Sequence, residues 1–264
     1  MAILQKILDT KKAELEAKKE LKTTASLKVD SFFYRDAVSL KASLLKEGSS
    51  GIIAEFKRKS PSRGWFHPEI RVQDVVTAYN KDAAGISILT DVHFFGGANQ
   101  DIIQARAITN VPILRKEFII DPFQIVEAKA IGADVVLLIA ACLTPEMTRQ
   151  LARVAKDCGL EVLLELHAEN EMDHICDQID IIGVNNRNLD TLEISIDTSY
   201  ELIKKLDTNR PVVSESGISA IETIVSLNRA GFKGFLIGEN FMKQPQPAVA
   251  FAEFMTSLNQ RHED

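Results

Sequence analysis

Two lysines and three glutamates stand within, or at the ends of, short apolar runs: Glu55 and Lys57 in IIAEFK, Lys116 in PILRK, Glu165 in VLLEL and Glu215 in VVSES. A charged group in such a run is costly unless it is paired. Opposite charges in one dry place tune each other, so that a lysine serves as a general acid and a glutamate as a general base or as the lysine's positioner. An ion-paired layer capping an apolar core is the structural alternative. Two turns point to a second requirement. Ser216 and Gly217 follow one run, and Gly238 and Glu239 open a short helix after another. Backbone N–H groups at such turns cradle phosphate, and glycine lets the backbone come close. Together these residues predict proton-transfer chemistry on a sugar phosphate.

The elements that must bring these groups together are legible as a repeat. In IGADVVLLI (131–139), CGLEVLLEL (158–166), AGFKGFLIG (230–238) and AAGISILT (83–90), a helical pattern ends at glycine and a β-branched or apolar run follows. Such runs suit strands buried on both faces, and glycine suits the left-handed end of a helix. Eight runs are visible, at 51–56, 85–90, 112–116, 134–139, 161–166, 180–185, 211–215 and 234–238. Asp121 before Pro122, Thr144 before Pro145, and Ser219 with Glu222 read as helix starts. Eight βα units predict an α/β fold, a (β/α)8 TIM barrel, over residues 49–264. A doubly wound open sheet is the alternative, but its glycine-rich first turn is missing. In a barrel the functional groups lie at the C-terminal strand ends, where Glu55 and Lys57 alternate toward the same side and Asn185 and Arg187 end the sixth strand.

Residues 1–48 stand outside the repeat. Ile3, Leu4, Ile7, Leu8 and Leu15 share one helical face, and the lysines and glutamates are expected on the other. A loop with Phe32, Phe33 and Tyr34 precedes a second helix expected over 36–46. The segment reads either as a plug over one barrel end or as a lid that excludes water from the ligand.

Composition removes several classes. With 264 residues and 45% hydrophobic content the chain can bury a core, so wholesale disorder is excluded. No apolar run is long enough to span a membrane, and no signal peptide precedes the first charges. A net charge of −6 argues against a nucleic-acid surface. Three cysteines, Cys142, Cys158 and Cys176, make no disulfide framework, so the chain is expected in the cytoplasm. His67, His93, His167, His174 and His262 show no metal-ligand spacing, and His167 stands nearest a strand end. Cys142 reads as a small buried hydrophobe. No metal and no cofactor is expected.

The blocks IIAEFKRKSPSRG (52–64), PILRKEFIIDPFQI (112–125), LLELH (163–167), IGVNNRNLDTLEI (182–194), SESGI (214–218) and LIGENFM (236–242) resemble those of the indole-3-glycerol-phosphate synthase family of tryptophan biosynthesis. The resemblance spans essentially the whole chain and includes the helical N-terminal extension. It implies a carbon–carbon lyase that converts 1-(2-carboxyphenylamino)-1-deoxyribulose 5-phosphate to indole-3-glycerol phosphate, carbon dioxide and water. On this resemblance Lys116 is the acid for ring closure, Lys57 holds the substrate carboxylate and assists dehydration, and Glu165 is an acid/base carboxylate. Glu55 and Asn185 position these groups or serve the last proton removal. Arg187 and Glu215 match second-tier pocket positions. Phosphate is expected on the backbone of Ser216, Gly217, Gly238 and Glu239, helped by the first loop at Lys59 and Ser60. Glu239 stands where some members have serine, so it is expected to offer only its N–H. Phe95 and Phe118 match positions that pack the anthranilate ring, or are ordinary core. A monomer or weak dimer is expected, without the fused isomerase domain of some relatives. A phosphoribosylanthranilate isomerase-like barrel is the enzymatic alternative, although the first strand offers no cysteine, and a silent sugar-phosphate binder is the non-catalytic one.

Overall fold

The computed structural model describes residues 3–189 and 191–261. Asp190, within the NNRNLDTLEI block, and His262 lie outside the described residues. Among the described residues eight parallel strands close into a barrel: β1 (Ile52–Phe56), β2 (Gly85–Leu89), β3 (Ile113–Lys116), β4 (Val135–Ile139), β5 (Glu161–Leu166), β6 (Ile181–Asn185), β7 (Val212–Glu215) and β8 (Gly234–Ile237). Each strand pairs with the next in sequence, and β8 closes on β1 through Ile52↔Phe235 and Ala54↔Ile237. All eight expected runs are strands, within a residue or two at each end. Parallel strands need both faces covered. Helices cover the outside, while Ile53, Leu114, Leu137, Leu163, Val213 and Leu236 fill the interior.

The helix starts behave as local chemistry dictates, with one correction. Asp121 accepts from Phe123 N and forms a capping box with Gln124, and Thr144 accepts from Met147 N; each is followed by proline. Ser219 is not a cap: the helix Ile221–Ala230 begins after Ala220, without a side-chain cap bond. The glycine reading also needs one change. Gly132, Gly159 and Gly231 have φ of 98°, 68° and 117°, the left-handed ends expected of them. Gly85 instead opens β2, where a Cβ would collide with the Leu40 side chain. There glycine is required by a close approach from below the barrel.

The N-terminal segment runs along the barrel and also closes its N-terminal end. Its first helix, α1 (Ile3–Leu21), places Ile7 in the cluster that includes Phe118 at the mouth, and Leu15 packs with Leu27, Phe123 and Val126 on the flank. After α2 (Thr24–Leu27) the chain turns through Phe32–Tyr34 to α3 (Leu40–Leu45), shorter than the helix expected over 36–46 because Ser39 caps it. Leu40 and Leu44 enter the interior from the N-terminal ends of the strands. Asp134, just before β4, accepts from Arg35 and from Val38 N, while Glu161 at the start of β5 accepts from Ser39 and Lys41 N. The expected division of α1 into an apolar face and a charged face fails at one residue. Lys11 is 3% exposed, because carboxylates from the barrel wait beneath it.

Candidate active site

The C-terminal strand ends enclose a cavity of about 290 Å3. Its floor is the lysine–glutamate set. Lys116, ending β3, lies with Nζ 2.5 Å from Glu165 Oε2 on β5 and 2.5 Å from Glu215 Oε2 on β7. Asn185, ending β6, donates to the other oxygen of Glu165 at 3.0 Å and accepts from Arg187 N at 3.0 Å. Just after β1, Lys57 lies with Nζ 2.6 Å from Oε1 of Glu55 on that strand. These groups all line the cavity. Register explains how they meet: Glu165 stands beside Gly183, Asn185 beside Glu215, and Leu89 beside Lys116.

Two glycines make room for two of the carboxylates. A Cβ on Gly183 would strike Glu215 Oε1 and approach Leu163 to 2.8 Å, and a Cβ on Gly238 would lie 2.8 Å from the Glu55 Cβ. Glu215 therefore reaches the centre through space that β6 leaves open. It sits directly on Lys116 rather than in a second tier around it.

The electrostatics are uneven. Burial disfavours the Lys116 ammonium, but Glu165, Glu215 and Glu55 outweigh it and raise the pKa above the ordinary lysine range. Glu165 and Glu215 share that cation and separate. Burial opposes ionisation of Glu165, yet Lys116 and His167 hold it well below the usual carboxylate range. Burial raises Glu215 to about 7, and the Glu165 charge adds to the burial effect against the pull of Lys116. Glu215 Oε1 has no hydrogen-bond partner. A pair whose environments push their proton affinities apart has the form of an acid/base couple.

The other end of the cavity is built from turns. Ser216 and Gly217 are both left-handed, with φ of 69° and 78°, and Asn186 braces the turn by donating to Ser216 O and Ser214 Oγ. A left-handed serine is strained, and such strain gathers at ligand sites. Gly238 and Glu239 follow β8 at the start of the short helix Glu239–Met242. The Glu239 carboxylate lies 3.0 Å from Arg63 Nε and 3.6 Å from Arg187 Nη2. Ser216, Gly217, Gly238 and Glu239 all line the cavity. Lys59 and Ser60 do not. They form a small ribbon with Gly64–Trp65, and Lys59 donates to His93 O and lies over the Trp65 ring. Lys243, one helical turn beyond Glu239, lines the cavity instead. Helical spacing from Glu239 was the sequence signal for it.

The remaining wall is apolar. Phe95 and Phe118 stand 6.1 Å apart at 38° beside Leu89, Leu137 and Ile139. Phe118 also packs in the barrel core, so the two expectations for it describe one position. This wall rests on Lys11 of α1. Its ammonium lies 2.6 Å from Glu14, 3.0 Å from Asp91 and 3.1 Å from Glu117. Asp91 accepts from Phe94 N and Phe95 N, and Glu117 accepts from Phe118 N and the Thr90 hydroxyl. One buried lysine thus joins the two loops that carry the rings. Nothing in α1 alone could have signalled this, since both partners come from distant parts of the chain.

His67 engages Gln244 O, His93 faces Glu14, and His174 faces Thr148. His167 lies beside Glu165. Burial pushes the Cys142 thiol up to about 12, so it stays protonated at neutral pH. Among the described residues no cluster of histidine, cysteine, aspartate or glutamate has metal-binding form, and no helix is long and apolar enough to cross a membrane.

A closed barrel with buried lysine–carboxylate pairs at its mouth, an aromatic wall and a backbone cradle has the design of a (β/α)8 enzyme of small phosphorylated substrates. Comparison with known proteins carries this further. The family model described as indole-3-glycerol phosphate synthase matches residues 4–254. The chain is 45% identical over 257 residues to the indole-3-glycerol phosphate synthase of Bacteroides thetaiotaomicron, covering 97% of this chain and 98% of that one. It is 38% identical to that of Laribacter hongkongensis, covering 95% and 97%. A tryptophan synthase alpha-subunit structure from Pyrococcus furiosus has a TM-score of 0.61 at 17% identity, over 80% of this chain and 98% of that one, a likeness of fold alone. The chain belongs to the indole-3-glycerol phosphate synthase family, whose members are carboxy-lyases of tryptophan biosynthesis.

Proposed function

We propose that the chain closes and decarboxylates 1-(2-carboxyphenylamino)-1-deoxyribulose 5-phosphate, with Lys116 as the acid. The aromatic carbon that bears the carboxylate attacks the ribulose ketone, and Lys116 gives a proton to the oxygen as its charge develops. Loss of carbon dioxide returns the electron pair to the ring. The new hydroxyl then leaves as water, and a final proton is removed to give the indole. In this reading Lys57 holds the carboxylate and assists the dehydration, Glu165 moves the proton, and Glu55 with Asn185 keeps these groups in place. The Ser216–Gly217 and Gly238–Glu239 turns take the phosphate with Lys243 nearby, Arg187 borders the same end, and Phe95 and Phe118 take the anthranilate ring.

The observation that carries the reading is the position of Lys116 Nζ. It lies between two carboxylates on the floor of a cavity that has an aromatic wall and a backbone turn suited to an anion. An acid preorganised where charge develops needs no rearrangement during the step. All the proposed groups come from one chain, so a monomer or weak dimer suffices, and the free Cys142, Cys158 and Cys176 fit a reducing cytoplasm. The test is indole fluorescence from purified protein and that substrate, without added metal or nucleotide. A steady rise supports the reading. Saturable quenching of substrate fluorescence without indole would replace it with a silent sugar-phosphate binder.

A further inference from the structure

His167 follows the last residue of β5, and its side chain is 11% exposed. Its Nε2 lies 3.2 Å from Glu165 Oε1, and its Nδ1 lies 3.6 Å from Glu171 Oε2. Glu171 belongs to the 3-10 helix Glu169–His174, and its carboxylate is fixed by the backbone N–H of His167 itself. Both ring nitrogens therefore lie at ion-pair distance from carboxylate oxygens, although neither contact has the alignment of a formed hydrogen bond. An ionised carboxylate only accepts, and a neutral imidazole has one donor, so one nitrogen would turn a lone pair toward negative charge. Only the imidazolium, with two N–H groups, suits both neighbours. Burial favours the neutral ring, but Glu165 and Glu171 prevail and raise His167 to about 9.

The two carboxylates around Lys116 differ through this contact. Glu165 meets Lys116 on one oxygen, and its other oxygen accepts from Asn185 and lies at ion-pair distance from the His167 ring. Glu215 meets Lys116 on one oxygen and has no hydrogen-bond partner on the other. We propose that His167 is a positioning residue that decides where a proton resides in this cluster: as an imidazolium between Glu165 and Glu171 it keeps Glu165 ionised and leaves Glu215 to take the proton. Lys116 from β3 and Asn185 from β6 face Glu165 across the cavity, Glu171 packs on the ring from the 3-10 helix, and the neutral Cys142 thiol lies near both carboxylates from the turn after β4. The ring itself stands behind Glu165 and away from the lining of the cavity, so it acts through Glu165 rather than on substrate.

The proposal rests on the reading of Lys116 and Glu165 as the proton-transfer pair, and two measurements separate its failure from the failure of that reading. The first needs no substrate: ring nitrogen resonances of the full chain labelled at histidine, with His167 assigned by its loss in H167N. An imidazolium at pH 7 that titrates near 9 is expected, and a neutral ring at pH 7 would overturn the proposal. The second is the pH dependence of kcat and KM for the unaltered protein, H167N and E171Q. H167N should lower kcat by roughly tenfold, the equivalent of one pK unit, move the acid limb of the kcat profile upward and leave KM within about twofold. E171Q keeps the ring and should shift the profile in the same direction by less, which preserves the test if H167N fails to fold. Unmoved profiles with only a lower melting temperature would make His167 a packing residue. No turnover by the unaltered protein would overturn the assigned reaction and leave the ring titration to decide this point.

Discussion

The two ends of the barrel each carry a buried ionic cluster, and the clusters are built on opposite terms. At the N-terminal strand ends every oxygen of Asp134 is engaged: Oδ1 accepts from Arg35 and Val38 N, and Oδ2 accepts from Arg106 and Ile113 N. Two guanidiniums surround one fully buried carboxylate, and α3 closes off the space below. At the C-terminal strand ends one ammonium serves two carboxylates, an oxygen of Glu215 is left over, and the groups face a cavity. A saturated cluster fixes geometry. One short of partners has proton affinities that a ligand can move, and that shortfall separates chemistry from structure among equally buried charges.

The comparison breaks most directly at Lys116. Lys116→Met should lower kcat by about 10²–10⁴-fold, the range for a positioned acid, with a smaller change in KM. Near-normal kcat in steady-state kinetics would place the mouth cluster with the structural one. Asp134→Ala should do the reverse. Removing one partner of a buried ionic cluster costs about 3–5 kcal/mol, so denaturant unfolding should show that loss while kcat per folded molecule is kept. Gly183→Ala sharpens the contrast, because the added Cβ falls where Glu215 Oε1 stands. Displacing that carboxylate should lower kcat by more than stability, which overpacking reduces by about 1–3 kcal/mol; equal losses would mean that Glu215 is only packed.

Lys11→Met tests whether an ionic cluster behind the aromatic wall can serve the site at one remove. It leaves Asp91 and Glu117 without their cation, so the Phe95–Phe118 wall should loosen and KM should rise more than kcat falls. Lys11→Arg should recover most of the loss, and an unchanged KM would make α1 a mere cover. The smallest expected effect is in stability against pH. His167 titrates at 6.5 as a free side chain and near 9 in the fold, so the imidazolium stabilises the protein fully below 6.5. That contribution is lost as the pH rises toward 9. The melting temperature should decline across this window in the unaltered protein, and H167N should lack that part of the decline.

Most of the architecture was legible because it is local. Period and turn chemistry mark the strands, and Asp121 and Thr144 cap helices with atoms a few residues away. Where local signals competed with contacts from afar, the sequence misled. Gly85 looks like a helix end but answers to Leu40, and Lys11 looks like a solvent lysine but answers to Asp91 and Glu117. At the mouth, Lys116, Glu165, Glu55 and Lys57 were visible as charges in apolar runs. The central place of Glu215 was not, because it depends on a missing side chain at Gly183 in the neighbouring strand. Lys59 carries the right charge in the right loop, yet a carbonyl and an indole ring hold it elsewhere, and no pattern in the sequence encodes that direction.

The path of residues 3–45 has one further consequence. The segment is fastened at the mouth by Lys11 and beneath the barrel by Arg35, Leu40 and Leu44. It therefore ties the aromatic wall to the far end of the fold. Loosening the base, as in Leu40→Ala, is expected to raise KM at the mouth without any change to a residue of the cavity, and bound ligand is expected to raise the melting temperature of wall and base together.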